Sequence, residues 1–300
     1  MLRLSIALSF TALVALAAPQ GSQRTFANPQ EAAQVLTDAA EHNDSAALLK
    51  IFGPQGKDIV DSGDAVEDKT SRAEFARMAK EKVRAEPVPG NPDRATVVVG
   101  SQDWPFPVPL VRRGGQWHFD SAAGRVEILA RRVGRNEVAA VDVCRAYVEA
   151  QMDYATHDRD GDGVLQYAQK IVSTPGKKDG LYWQGEQENL VPKAFADASA
   201  AMFAEGKTPK PYQGYYFHVL KAQGPEAPGG ALDYVVKGKM MGGFALVAFP
   251  AEYGVSGIKT FIVSHQGVVY QKDLGAATAT TARQMTRFNP DKSWKVVPNE

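Results

Sequence analysis

The first hundred residues carry apolar side chains at the three- and four-residue spacing of amphipathic helices. Asn28 and Pro29 are typical of an N-cap and a first helical position, and apolar residues then recur as far as Ala40. A short second helix is predicted before Gly53, and a third from Thr70 to Ala85. The folded part of the chain is therefore expected to begin with helices.

Strand patterns follow these helices. Residues 95–100 form a β-branched run, while residues 108–112 and 116–120 flank Gly114-Gly115, which is a hairpin signal. Three prolines exclude Trp104–Pro109 from a central strand and favour an edge or a stiff loop. The pattern predicts a small antiparallel sheet packed against the helices.

A closing helix from Ala122 to Val133 completes a predicted N-terminal α+β domain over residues 26–133. Its layout resembles the nuclear-transport-factor-like and cystatin-like folds, and this likeness implies nothing about activity. A second domain over residues 136–275 is predicted to open with a long helix, Glu137–Ala155, which Asn136 would cap. The fold class expected for the whole chain is α+β.

The long helix carries one predicted apolar stripe: Val138, Val141, Cys144, Val148, Met152 and Ala155. A helix over Val191–Ala204 is expected next. Strand signals then predict an antiparallel meander of five strands: Tyr215–Leu220, Leu232–Lys237, Gly243–Phe249, Thr260–Ser264 and Val268–Gln271. Residues 276–300 are expected to form a short helix and a C-terminal tail. This helix and meander weakly resemble the head of bacterial pseudopilins.

The N-terminus predicts export. Arg3 precedes an apolar run from Leu4 to Leu16, and small residues follow it. This pattern is typical of a signal peptide over residues 1–18, with cleavage after Ala17 or Ala18. The alternative is an uncleaved N-terminal anchor. We therefore expect a periplasmic or secreted protein with no membrane span after cleavage, because no other segment is apolar enough to cross a bilayer.

Composition and charge narrow the class of protein. The 34 basic and 34 acidic residues balance to a formal net charge of zero, which does not indicate a nucleic-acid-binding surface. Cys144 is the single cysteine, so no internal disulfide can form, and we expect it to be a small buried hydrophobe. The alternative is a reactive thiol.

An aspartate-rich loop is the sharpest chemical signal. Asp158, Asp160 and Asp162 stand at alternate positions and Gly163 is sixth, the arrangement that lets carboxylates converge on calcium. Glutamine at the twelfth position, where an EF-hand uses a bidentate glutamate, weakens the prediction, and Asp179 or Glu186 are candidate replacements. The alternative is a solvated turn without metal. The predicted calcium ligands are Asp158, Asp160, Asp162, the Val164 carbonyl, Gln166 and Gln169.

Several longer motifs carry a family resemblance. They include Asp158–Gln169, Pro175–Trp183, Phe249–Gly254 and Tyr270–Gly275, and they extend to Trp104–Pro107. These segments resemble a family of exported bacterial proteins known as domain of unknown function 2950. The resemblance implies export and a shared fold over nearly the whole mature chain, and it implies no activity.

No arrangement typical of a catalytic site occurs in the sequence: no pair of histidines has zinc spacing, and no nucleophile motif is present. We therefore expect a binding or structural module of the cell envelope whose partner is an envelope protein or a glycan. One alternative is an envelope hydrolase with its site in a groove between the two domains. Glu252, Tyr253 and His265 could line a groove in the second domain, and the alternative for them is ordinary surface hydrogen bonding. Another alternative for the whole protein is an accessory subunit of a pilin-like or secretion assembly.

Overall fold

The computed structural model describes residues 23–61, 65–201 and 210–298, so the predicted signal peptide lies outside the described residues. The chain divides between Ile128 and Leu129 into two compact units. Each unit has its own cluster of buried apolar side chains. Of the helices within the described ranges, none is both long enough and apolar enough for a bilayer span.

The first unit begins with helices α1 (Pro29–Glu41), α2 (Ser45–Phe52), α3 (Lys57–Val60) and α4 (Ala65–Glu81). The predicted cap at Asn28 is confirmed, because its side chain accepts a 2.8 Å hydrogen bond from the Glu31 amide. Helix α4 ends at Glu81, so the prediction that it reaches Ala85 was wrong. Residues from Val83 onward form a strand, since their backbone groups pair with a neighbouring strand instead of with the helix.

The sheet of this unit contains β1 (Val83–Val88), β2 (Asn91–Val99), β3 (Trp104–Pro105), β4 (Leu110–Arg113) and β5 (Gln116–Phe119). Its strands are antiparallel in the order β1-β2-β4-β5, and β3 also pairs with β2. The β4–β5 hairpin is confirmed, with Gly114 and Gly115 at φ values of +58° and +81°. Buried side chains of α1, α2, α4 and the sheet form the core.

A single helix, α5 (Ser121–Tyr154), replaces the two helices predicted on either side of Asn136. Asn136 does not cap a helix; its side-chain amide donates a 2.8 Å hydrogen bond to the Ser256 carbonyl. Gly134 lies inside this helix, and one glycine in a helix interior costs only about 1 kcal/mol, which is not enough to end it.

The buried face of α5 also differs from the predicted stripe. Val138 and Met152 are 65% and 42% exposed, whereas Tyr147 and Gln151 are almost fully buried. The prediction failed because it counted only small and aliphatic residues as inward-facing. Cys144 is fully buried, as predicted, and burial raises the pKa of its thiol to about 12.

The second unit is built on a five-stranded antiparallel sheet in the order β16-β15-β14-β13-β8. Its elements after α5 are β6 (Lys170–Val172), β7 (Gly180–Tyr182), α6 (Lys193–Ala201), β8 (Tyr215–Leu220), β9 (Ala222–Gln223), β10 (Leu232–Asp233), β11 (Val235–Val236), β12 (Lys239–Met240), β13 (Ala245–Pro250), β14 (Lys259–Ser264), β15 (Val269–Asp273), α7 (Thr278–Arg283) and β16 (Lys295–Val296). Together with the first unit, these elements confirm the α+β class.

One predicted strand of the meander was wrong. Residues 232–237 do not enter the main sheet, because β13 pairs directly with β8. The run is interrupted at Tyr234, which is fully buried and donates a 2.9 Å hydrogen bond from its hydroxyl to the Gln223 side chain. The short strands on either side of it pair elsewhere. Residues 276–300 supply the expected short helix, α7, but part of the predicted tail forms β16, an edge strand of the sheet.

Two glycines of α5 provide a matched test of packing. A Cβ at Gly124 would lie 2.7 Å from a methyl carbon of the buried Val108, whereas a Cβ at Gly134 would meet nothing within 4 Å. We expect Gly134→Ala to stabilise its unit by about 1 kcal/mol through helix propensity. Gly124→Ala should destabilise by about 1–2 kcal/mol, because overpacking exceeds that gain. Urea unfolding measures both, and an equal effect of the two substitutions would contradict the packing.

Candidate functional site

The acidic loop, residues 158–163, follows the end of α5 and a short turn. Arg159 anchors it: this guanidinium lies 5.4 Å from the centre of the Tyr154 ring and 5.0 Å from that of Trp183. Its side chain is 15% exposed, in contrast to the exposed aspartates on either side of it. Alternation along the loop therefore places one cation inward and the carboxylates outward.

The backbone of the loop is shaped by Asp158. Its carboxylate accepts hydrogen bonds from the amides of Gly161 at 2.9 Å and Gly163 at 2.7 Å. Both glycines have positive φ, +77° and +83°, which permits the tight turn. The bond from Gly163 makes the largest contribution to lowering the pKa of Asp158, so this carboxylate stays ionised at neutral pH.

The three predicted carboxylates converge. One oxygen from each of Asp158, Asp160 and Asp162 lies within 4.8 Å of the others. The ammonium of Lys239 lies beside them, 2.9 Å from Asp160 Oδ2 and also in contact with Asp162 Oδ2. These contacts raise the pKa of Lys239, and its hydrogen bond lowers the pKa of Asp162. A cation of the protein itself is therefore already paired with two of the acidic groups.

Of the other predicted ligands, Gln166 and Val164 contact the aspartates and Gln169 does not. The side-chain amide of Gln166 donates a 2.9 Å hydrogen bond to Asp160 Oδ2, and the backbone amide of Val164 donates one of 3.1 Å to Asp162 Oδ1. Gln169 is turned elsewhere, since its amide donates a 2.6 Å hydrogen bond to the Gly238 carbonyl. No helix follows the loop as it would in an EF-hand, because Tyr167 pairs with Met240 in an isolated bridge.

A buried glutamine fixes the chain after the loop. Gln151 of α5 is fully buried, and its amide donates 2.8 Å hydrogen bonds to the Ala168 carbonyl and the Tyr147 hydroxyl. Its side-chain oxygen accepts a 2.8 Å bond from the Ala168 amide. One side chain therefore satisfies both backbone groups of Ala168, which no strand pairs.

The acidic loop forms one wall of an open groove with a volume of about 830 Å³. Six cationic and three acidic side chains line it, which gives an excess of three positive charges. Sequence reasoning found the acidic residues but not the convergence of the cations, because Lys237 and Lys239 come from a turn far along the chain from the loop. The charged lining residues are Arg159, Asp160, Asp162, Lys170, Lys177, Lys178, Asp179, Lys237 and Lys239.

Asp179, a candidate replacement ligand, organises another segment that lines the groove. Its carboxylate accepts hydrogen bonds from Lys170 Nζ at 2.8 Å, the Thr174 amide at 2.7 Å and the Thr174 hydroxyl at 2.8 Å. Partial burial raises the pKa of Asp179, but these bonds outweigh it and lower the pKa to about 2. Glu186, the other candidate, pairs with Lys178 at 3.5 Å.

Tyr253 and His265, residues considered for an enzymatic groove, contact different neighbours. The Tyr253 hydroxyl interacts with Asp273, which raises its pKa. The His265 ring packs at 5.7 Å from Tyr234 and 6.2 Å from Phe244, and burial lowers its pKa. The contacts given for Tyr253 and for His265 have no residue in common, and an enzymatic role for the two side chains remains a prediction.

Replacing Gln151 tests what holds the acidic loop in place. Gln151→Leu leaves the buried amide and carbonyl of Ala168 without their partner, so we expect a loss of about 3 kcal/mol. Gln34→Leu, on the exposed face of α1, is the matched control and should change stability by less than about 0.5 kcal/mol. Urea unfolding measures both, and similar effects would show that the Gln151 bonds contribute little.

Acid titration tests the Asp179 contacts. Because the folded pKa of about 2 lies below the ordinary value of 3.8, the ionised carboxylate stabilises the fold above about pH 4. That contribution is lost as the pH falls from about 4 to about 2. We expect this contribution to the free energy of unfolding to be only about 1 kcal/mol, because the Asp179 side chain is 37% exposed and solvent screens its charge.

In this test, Asp179→Asn, which cannot titrate, should show a smaller decline in melting temperature across that pH range than the wild type. Asp153→Asn changes an exposed carboxylate paired only at 3.9 Å, and should retain the wild-type pH dependence. An Asp179→Asn profile parallel to that of the wild type would contradict the lowered pKa.

Comparison with known proteins identifies the family and goes no further. A family model described as "Protein of unknown function (DUF2950)" matches residues 23–297. No curated protein and no solved structure gives a significant match. The likeness to pseudopilin heads is therefore not shown. Because the match covers nearly all of the chain, the protein belongs to the DUF2950 family of proteins of unknown function.

Proposed function

We propose that this protein is an exported, non-enzymatic binding or structural module of the cell envelope whose acidic loop binds calcium. The N-terminal apolar run and the small residues after it support export. The observation that carries the calcium proposal is the convergence of carboxylate oxygens from Asp158, Asp160 and Asp162 within 4.8 Å of one another.

The donor chemistry suits a hard divalent cation. Calcium takes six to eight oxygen ligands, and three carboxylates with the Gln166 amide oxygen and water can supply them. Gln169 is engaged with Gly238, so it adds no ligand unless it turns. With so few protein ligands we expect weak binding, with a dissociation constant near the millimolar values of extracellular calcium modules.

Charge balance supports a divalent ion in place of the lysine. The three carboxylates carry three negative charges, and the Lys239 ammonium neutralises one of them. Calcium carries two positive charges, so it would offset more of the three than Lys239 does and would relieve repulsion among the aspartates. Lys239 is therefore a built-in competitor that calcium has to displace from Asp160 and Asp162.

Thermal melting with 5 mM calcium or with chelator tests the proposal. For a dissociation constant of about 0.5 mM, binding adds about 1.4 kcal/mol, which raises the melting temperature of the second unit by about 3–5 °C. Lys239→Met removes the competing ammonium. We expect it to melt below the wild type in chelator and to gain more than the wild type from calcium.

Matched variants make the result specific. Lys237→Met removes an exposed lysine two residues away and should leave the calcium shift unchanged. The double substitution Asp160→Asn and Asp162→Asn should abolish the shift, because two of the three carboxylates are lost. Absence of a calcium-dependent shift in both the wild type and Lys239→Met would overturn the calcium proposal.

A further inference from the structure

We infer that the open groove of the second unit binds an acidic saccharide, a chain of sugars that carries carboxylates among its hydroxyl groups. The inference names a ligand class for the proposed binding role, and it does not depend on calcium. It rests on the juxtaposition of two lysine-bearing turns, Lys177-Lys178 and Lys237–Lys239, in the lining of one groove that also contains three aspartates.

The first turn is held rigidly enough to present its lysines. Asp179 bonds back to the Thr174 amide and hydroxyl, and Gly176 takes a φ of +78° between them. The Tyr154 hydroxyl donates a 2.6 Å hydrogen bond to the Lys178 carbonyl, which ties this turn to the end of α5. The position of the exposed Lys177 therefore depends on a fixed backbone.

The second turn places a lysine where the backbone disfavours one. Lys237 has a φ of +51° and Gly238 a φ of +81°, as in a tight hairpin turn between β11 and β12. Asparagine, aspartate or glycine is preferred at the first of these positions, because other side chains are strained there. A cation therefore lines the groove at a position where turn geometry alone would favour another residue.

Two further cations of the groove are pre-oriented by one aromatic ring. Arg159 lies 5.0 Å from the centre of the Trp183 ring, and Lys178 Nζ lies 4.7 Å from it. Side chains that already occupy one orientation lose less conformational entropy when a ligand binds. Among the described residues, Lys177 and Lys237 have no ion-pair partner, so their charges are available to carboxylates of a ligand.

The aspartates distinguish a saccharide from other anions. Asp160, Asp162 and Asp179 would repel a phosphate polymer or the backbone of a nucleic acid, whose phosphate oxygens accept hydrogen bonds but have none to donate to these carboxylates. Sugar hydroxyls donate hydrogen bonds to carboxylates, while uronic-acid carboxylates accept them from lysines. The groove has six cationic side chains and three carboxylates, so it fits a ligand that carries both carboxylates and hydroxyl groups.

Calorimetric titration with trigalacturonate, in chelator and low salt, tests the inference. We expect millimolar or tighter binding that weakens with added salt, whereas the neutral sugar maltotriose should not bind measurably. Lys177→Gln and Lys237→Gln should each reduce affinity about fivefold, and the pair about 25-fold, because each removes one exposed charge interaction.

The control is the double substitution Lys292→Gln and Lys295→Gln, which makes the same change in net charge at exposed sites outside the groove. It should bind trigalacturonate as the wild type does. Three results would each overturn the inference: no binding at 10 mM, equal loss in the control pair, or equally tight binding of tripolyphosphate or a single-stranded oligonucleotide. Because calcium is absent, these results do not bear on the calcium-dependent melting shift.

Discussion

The end of helix α5 is the constraint on which the candidate site depends. Gln151 satisfies both backbone groups of Ala168, and Tyr154, one turn later, bonds to the Lys178 carbonyl. Because Gln151 is buried, leaving either backbone group of Ala168 unpaired would carry a desolvation cost that water cannot offset. These contacts hold two segments that follow the acidic loop against one helix, and along the chain the loop lies between Tyr154 and Ala168.

Electrostatics then determines how the loop can be used. Its carboxylates are exposed and close together, so they need a counter-charge, and Lys239 supplies one from a turn 77 residues beyond Asp162. The same turn presents Lys237 to the groove. An acidic loop and a cationic groove are therefore parts of one charged surface. A change in the ion at the loop would alter the charge that the groove presents to a ligand.

Local signals in the sequence predicted local structure well. The Asn28 cap and the glycine pair of the β4–β5 hairpin were identified because their chemistry involves residues within a few positions of one another. Errors arose where distant partners decided the outcome. Val83 pairs with Val99 and leaves the helix, and Asn136, predicted as a helix cap, instead donates a hydrogen bond to the distant Ser256 carbonyl.

The sequence alone determined the α+β class, the buried state of Cys144, and the spacing that brings Asp158, Asp160 and Asp162 together. Each follows from local periodicity, composition or turn chemistry. The tertiary structure decided that Lys239 pairs with these aspartates, that Gln169 turns to Gly238, and that lysines from separate turns share a groove. The physical reason is that such contacts join residues far apart along the chain, and their free energy is gained only when strand pairing and core packing bring the segments together.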